Sequence, residues 1–332
     1  MDYKKKVIVL AAVCGALALV YAGTIVFSAE RRASRSAAFA WLSKDAAAQA
    51  DKITLRGSEG ETELHKIGGA WVISKEGNDY PVKQERVDDF LALLSEKKAY
   101  PVQARSESAQ EALGVSEAAA EGRIVIRGGS APEGIEKPAL LELLVGNYDA
   151  AGALYFRRAA DKEIRSGEST VKSYLDSQES SWYNLALFPG AKLTPQVVQR
   201  IQVTMPPKDE SADEGDAAAA ATPAEFTLAR QNGGWVREDT GETLDTAKVD
   251  SYLRAILDAS GEDFDPKGIP SDPSLNEGRI VLSLGDNSSR TIRIGPKDEQ
   301  GKRNASVSGS GFVYRLASWT VGRIFKGPED LK

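Results

Sequence analysis

The sequence predicts an α+β protein, with a single N-terminal transmembrane helix followed by two repeated modules of antiparallel sheet with packed helices. Three observations lead there. An uncharged apolar run near the N-terminus is long enough to cross a membrane. Short alternating strands are separated by glycine-containing turns. The same series of elements occurs twice in the same order. Composition sets the outer limits. The 332 residues are 42% hydrophobic and 27% charged, which is globular and long enough for two domains. The 48 acidic residues outnumber the 42 basic ones, giving a net charge of −6 that argues against nucleic acid as a partner. With one His and one Cys, a Cys/His zinc site and an internal disulfide are both excluded within the chain.

Taken in order, residues 1–6 form a short tail carrying Lys4, Lys5 and Lys6. Val7 to Phe27 contains no charged residue. As a helix this run is about 31 Å long, matching a hydrocarbon core of about 30 Å. The lysines place the N-terminus in the cytoplasm and the rest of the chain outside it. A cleaved signal peptide fits less well, because the apolar run is too long and Phe27 stands where a small residue is expected. Ala11, Gly15, Ala18 and Ala22 approximate a small-residue face suited to packing against another membrane helix. Residues 28–50 are Ala-rich and lack Pro and Gly, so they are expected to continue the helix as a stalk, with Trp41 reaching the domain beyond it.

The first module is expected over residues 51–188 and the second over 195–326. Each opens with a short strand, Ile53-Thr54-Leu55 or Ile201-Gln202-Val203. A second strand follows, then a glycine turn and a third strand that begins with Trp: Gly68-Gly69-Ala70-Trp71-Val72, and Gly233-Gly234-Trp235-Val236. Next comes an amphipathic helix, with Val87, Phe90, Leu91 and Leu94 on one apolar face, and Val249, Leu253, Ile256 and Leu257 on the other. After a polar loop, Glu121-Gly122-Arg123-Ile124-Val125-Ile126 matches Glu277-Gly278-Arg279-Ile280-Val281-Leu282. Strands ending at Gly146 and Gly295 follow. Leu154-Tyr155-Phe156-Arg157 is matched with Phe312-Val313-Tyr314-Arg315 as a further aromatic strand. Each copy closes on a helical stretch, Thr170 to Leu175 and Ser318 to Phe325. Pro206 to Pro223 breaks the symmetry as an acidic insertion without apolar anchors, expected to be a disordered loop.

An N-terminal anchor followed by repeated units of strand, Gly-Trp hairpin, helix and Gly-ending strands resembles the domain-of-unknown-function family 4340. The resemblance runs from about Asp51 to about Lys326. Its carriers are Gly69-Ala70-Trp71-Val72, Gly233-Gly234-Trp235-Val236 and the strands ending at Gly146 and Gly295. Copy one departs from the paired glycine before Trp, with Ala70 in that place. The resemblance carries no catalytic residues. It implies a context: a bacterial inner-membrane protein with its modules in the periplasm, encoded beside gliding-motility-type ABC transporters. The implied partners are the transporter's permease or its auxiliary subunit.

No residue pattern points to catalysis, a cofactor or a metal. His65 lies in an alternating strand without a thiol partner. Ser43-Lys44 and Ser74-Lys75 are adjacent pairs whose side chains cannot both aim at one point. Asp263-Phe264-Asp265 lacks the further ligands of a calcium loop. The aromatic residues are more informative. Trp71 and Trp235 occupy equivalent places and read as core anchors or as an aromatic platform used twice. Trp182-Tyr183 opens an apolar connection through Leu185, Leu187 and Phe188 that is expected to join the modules. The expected function is a non-enzymatic, single-pass accessory subunit that binds partner proteins. The alternative is a ligand- or glycan-binding module using a cleft between the repeats.

Overall fold

The computed structural model describes residues 14–17, 21, 38–132, 134–190, 193–207 and 225–332. Ala11, Ala18 and Ala22, most of the run Val7 to Phe27, and most of the acidic insertion lie outside them. Cys14 to Leu17 and Tyr21 are helical and exposed. Among the described residues no helix is long and apolar enough to cross a membrane.

The chain divides into two compact units, Met1–Ile73 with Val82–Trp182, and Ser74–Pro81 with Tyr183–Lys332. The first copy supplies β1 (Ala38–Phe39), α1 (Lys44–Gln49), β2 (Ala50–Gly57), β3 (Gly60–Ile67), β4 (Ala70–Lys75), β5 (Asn78–Pro81) and α2 (Gln84–Ser95). It continues with β6 (Lys98–Ala99), β7 (Val102–Ala104), α3 (Glu107–Ala112), β8 (Gly122–Gly128), β9 (Ala139–Tyr148), β10 (Leu154–Arg158), β11 (Ile164–Gly167) and α4 (Lys172–Leu175). The second copy supplies β12 (Val198–Thr204), β13 (Glu225–Gln231), β14 (Gly234–Arg237), β15 (Thr243–Leu244), α5 (Thr246–Leu257) and β16 (Asp263–Phe264). It ends with β17 (Gly278–Leu284), β18 (Ser289–Lys297), β19 (Arg303–Val307), β20 (Val313–Leu316) and α6 (Ser318–Ile324).

The architecture is α+β, with two nine-stranded antiparallel sheets of matching topology. The first runs β5-β4-β3-β2-β8-β9-β10-β11-β7, and the second runs β15-β14-β13-β12-β17-β18-β19-β20-β16. The duplication reaches the level of irregularities. The register shifts at the start of β2 against β8, between Ala50 and Lys52, and at the same place in β12 against β17, between Val198 and Arg200. The Trp hairpins turn on two residues with positive φ, Gly68-Gly69 and Asn232-Gly233. A tight turn of this kind needs two such residues, because its twist then matches that of the strands. Ala70 and Gly234 lie one step later, as the first residues of β4 and β14, outside that turn. This is why Ala serves in copy one.

One face of each sheet is covered by helices. In α2, Val87, Phe90, Leu91 and Leu94 are buried. In α5 the buried set is Val249, Tyr252, Leu253 and Ile256. Tyr252 thus takes the place that the apolar spacing gave to Leu257. Its hydroxyl donates to the Ile324 carbonyl at 2.7 Å, and burial pushes its ionisation well above the ordinary phenol value. The glycine of each Glu-Gly-Arg strand explains itself here. A Cβ on Gly122 would lie 2.7 Å from Leu175 Cδ1, and one on Gly278 would lie 3.1 Å from Phe325 Cε1. Both are sites where the closing helix presses on the sheet.

Gly146 and Gly295 do the same on the opposite face. Gly122 pairs with Val145, so Gly146, one residue on, points its hydrogens the other way. A Cβ there would sit 2.2 Å from the Leu113 carbonyl oxygen, and one on Gly295 would sit 3.0 Å from Leu275 Cδ2. The connection into β8 or β17 therefore crosses this second face at the same strand position in both units.

Three expectations are corrected. The stretch 28–50 was expected to be continuous helix; residues 28–37 lie outside the described residues, and beyond them Ala38–Phe39 is a strand paired with β6, while Trp41 packs into the unit as expected, beside buried Leu42. The side chain of Ser43 caps α1 afresh. Apolar Phe39, Trp41 and Leu42 gain more from burial than the Ala-rich stretch gains from helix propensity. The aromatic strands Leu154–Arg157 and Phe312–Arg315 are not equivalent. By position, β10 matches β19 and β11 matches β20, because Phe156 pairs with Val145 where Ala305 pairs with Ile294. The stretch between helix and Glu-Gly-Arg strand, read as a loop, contributes β6, β7 and α3 in copy one and β16 in copy two.

These close approaches generate a prediction. Gly146→Ala places a methyl against backbone that cannot move aside, and should cost about 2–3 kcal/mol. Gly285→Ala, whose nearest neighbour would be 3.7 Å away, should be close to neutral. Urea denaturation of the two variants measures the difference.

Candidate functional site

The residues singled out by sequence are mostly structural. Trp71 is buried in β4, its N–H donating to Gln84 Oε1 at 3.0 Å and its carbonyl accepting from Gln84 Nε2 at 3.1 Å. Lys66 Nζ lies 4.8 Å from the Trp71 ring, and Arg230 lies 4.7 Å from the Trp235 ring. Each cation sits directly across the strand pair from its tryptophan. Trp235 is fully buried, and its Nε1 donates to Asp250 Oδ1 at 3.4 Å. Burial leaves neither tryptophan a ring face to offer as a platform.

Trp182 and Tyr183 are consecutive but belong to different units. Trp182 packs on Phe90 and Tyr174, with Arg86 4.6 Å from its ring. Tyr183 packs on Tyr80 and Phe264, and Tyr80 stacks on Phe264 at 4.8 Å. Gly15 is exposed in its helical stretch, and a Cβ added to it meets nothing within 4 Å. His65 pairs across the ladder with Lys52 and Val72. Among the described residues no group of three or more His, Cys, Asp or Glu could hold a metal ion.

The candidate site lies on the second face of the second unit. A cavity of about 400 Å³ opens there between the connection 265–275, the β18–β19 turn and the outer side of β19 and β20. Gly268 rests on Val313 and Leu275 on Gly295, which holds the connection on the sheet. Asn78 Nδ2 donates to the Pro266 carbonyl. The walls carry Lys267, Lys297, Lys302 and Arg315.

Asp265, Asp272 and Asp298 also line the cavity, and each is engaged. Asp265 accepts from Asn304 Nδ2 at 2.7 Å and from the Lys267 N–H at 3.0 Å. Asp272 accepts from the Ser274 N–H. Asp298 accepts from the Lys302 and Gln300 N–H groups and from Arg315 Nη2 at 2.9 Å. Desolvation raises the Asp298 pKa, but these donors outweigh it and hold the carboxyl below its ordinary value. For Asp272 the donors are the backbone N–H and hydroxyl of Ser274, with the same result.

The same place in the first unit is sealed. Counting from the paired strands, Leu144 stands where Arg293 stands, Tyr155 where Asn304 stands, Ile164 where Val313 stands, and Ser166 where Arg315 stands. Val115, Leu144 and Ile164 form a buried cluster, with Leu113 and Tyr155 against it. Arg157 is buried, donating to the carbonyls of Val115, Ala159 and Asp161. The connection there runs over residues 105–121 and carries α3, whereas residues 265–277 make the shorter connection in the second unit.

The family model described as Domain of unknown function (DUF4340) matches residues 71–277. The chain belongs to the DUF4340 family. The match begins at Trp71 in β4 and ends at Glu277, which precedes β17 and ion-pairs with Arg303. The DUF4340 span therefore takes in parts of both copies, and the sheet of neither copy is contained in it whole. No curated protein and no solved structure matches the chain.

The lowered carboxylates give a pH dependence. A folded pKa below the unfolded one adds stability that is complete above the unfolded value, about 3.9, and is lost as pH falls through the folded value. Acid should therefore weaken the second unit, and Asp298→Asn should flatten that dependence below about pH 4. Urea unfolding at stepped pH reads the slope.

Proposed function

We propose that the protein is a non-enzymatic, single-pass envelope protein, held in a bacterial inner membrane by Val7 to Phe27, with its N-terminus in the cytoplasm and both units in the periplasm. It serves as an accessory or assembly subunit of an ABC-transporter-type complex of the gliding-motility kind. Its partners are the permease, met by the anchor, and the auxiliary subunit, met by the extracytoplasmic units.

The observation that carries this reading is the nature of what is duplicated. The residues recurring in both copies are turn formers, core tryptophans and close-approach glycines. Selection for two copies of a scaffold fits a protein that presents surfaces. The uncharged apolar run and its flanking lysines support the anchor. Ala11, Gly15, Ala18 and Ala22 support a helix partner within the membrane. The transporter context rests on what the family resemblance implies. A second reading, an extracytoplasmic ligand- or glycan-binding module, was expected to use a cleft between the repeats; the cavity that favours ligand binding lies within the second unit instead.

Purification from the native host in mild detergent, after crosslinking, tests the main reading. The expected result is recovery of a permease or a large auxiliary subunit with the protein, weakened when Gly15→Leu widens the anchor face. Recovery of the protein alone under these conditions would overturn it.

A further inference from the structure

We infer that the cavity of the second unit is a binding site for a small oxyanion, the carboxylate or phosphate group of a ligand, gripped by Arg315, Lys302 and Lys267. The inference concerns the second unit alone and stands independently of any membrane partner.

The duplication supplies an internal comparison. Two copies of one sheet, built on the same strand order and the same register shift, face the same need to cover their second side. The first copy meets it with apolar side chains, and only Arg157, bound to backbone carbonyls, is both charged and buried there. The second copy keeps an apolar Val313 in place of Ile164 but has Arg293 in place of Leu144. Tyr155 gives way to Asn304 and Ser166 to Arg315. The connection above them is shorter and carries no helix. A fold that can close this face with Val, Leu and Ile has here left it open and charged.

The sign of the charge follows from the walls. Four cations face three carboxylates, in a chain whose net charge is −6. Glu262 pairs with Lys302 from outside the lining, and the cations that face the concave interior draw anions to it. All three carboxylates already accept hydrogen bonds from within the unit, each from at least one backbone N–H group that cannot turn away. They therefore hold the walls in shape and are poorly placed to take a cation. Arg315 is positioned through one terminal nitrogen on Asp298, and a guanidinium has further donors in the same plane. Lys302 reaches Glu262 at 2.6 Å with one of its three protons. Lys267 stands at the exposed rim. An incoming oxyanion therefore meets cations already held in place, which lowers the ordering cost of binding. At about 400 Å³ the cavity has room for a small organic acid or a phosphate group.

Isothermal titration calorimetry on the full-length protein in detergent, at fixed ionic strength, tests this with two separate probes, succinate and inorganic phosphate. Saturable binding of one anion per chain is expected. Succinate alone identifies a carboxylate source, phosphate alone a phosphate source, and both the shared oxyanion chemistry. Arg315→Ala and Lys267→Ala should each weaken binding roughly tenfold, about 1.4 kcal/mol. Lys267→Ala is the arm that leaves the internal ion pairs untouched, and Lys162→Ala in the first unit is the control that should change nothing. Absence of saturable binding for both probes would overturn the proposal, as would equal weakening by Lys267→Ala and Lys162→Ala. Neither result bears on whether a transporter subunit co-purifies, so the two readings fail separately.

Discussion

In each unit the sheet depends on one long-range pairing. The opening strand, β2 or β12, pairs on one side with its hairpin partner and on the other with the Glu-Gly-Arg strand, β8 or β17. That second pairing joins Ile53 to Ile126 and Leu55 to Ile124, and in the other copy Ile201 to Leu282 and Val203 to Ile280. All eight side chains are buried. Closing so long a loop has an entropic cost that grows slowly with its length, and four buried apolar residues per copy set against it a burial term of about 1.5–3 kcal/mol each. A slip of one residue would turn every one of them to the other face. The shared register shift at the start of each pairing shows that both copies keep the same solution in detail.

Once that pairing is fixed, the remaining elements have few places to go. A sheet with an apolar face must be covered, and α2 with α4, or α5 with α6, provides the cover. The chain must also travel from the amphipathic helix back to the strand beside β2 or β12, and it does so over the opposite face. Glycines stand where these passages come closest. Gly122 and Gly278 admit the closing helix on one side, and Gly146 and Gly295 admit the connection on the other. The four positions are packing constraints, and this explains why they recur although the residues around them differ.

Much of this was legible in the sequence because the signals were periodic. Alternation in β3 and β8, the helical spacing of Val87, Phe90, Leu91 and Leu94, and the two-residue turns before Trp71 and Trp235 are all local patterns with a physical cause. Strands of two to four residues, such as β1, β6, β15 and β16, carry too few positions to show any period. The mistaken match of Leu154–Arg157 with Phe312–Arg315 came from equating aromatic content with place in the sheet. Cross-strand partners decide place, and Phe156 answers to Ala305. The cavity was illegible for a different reason. Lys267, Lys302 and Arg315 are brought together only by the β18–β19–β20 meander and the connection above it, and each alone reads as an ordinary surface charge.

The differences between the copies carry more functional information than the likenesses. A sheet face can be closed by apolar packing at small cost, as Val115, Leu144 and Ile164 do in the first unit. Arg293 in place of Leu144, Asn304 in place of Tyr155 and Arg315 in place of Ser166 forgo burial energy and require ion pairs and backbone hydrogen bonds to hold the walls. The Asp298 carboxylate alone takes donors from Gln300, Lys302 and Arg315. Partly exposed ion pairs contribute little to stability, so this arrangement is a poor way to strengthen the second unit. Its effect is to keep oriented cations in a concave, water-accessible place. Stability explains the first copy's choice of residues at this face, and it does not explain the second copy's.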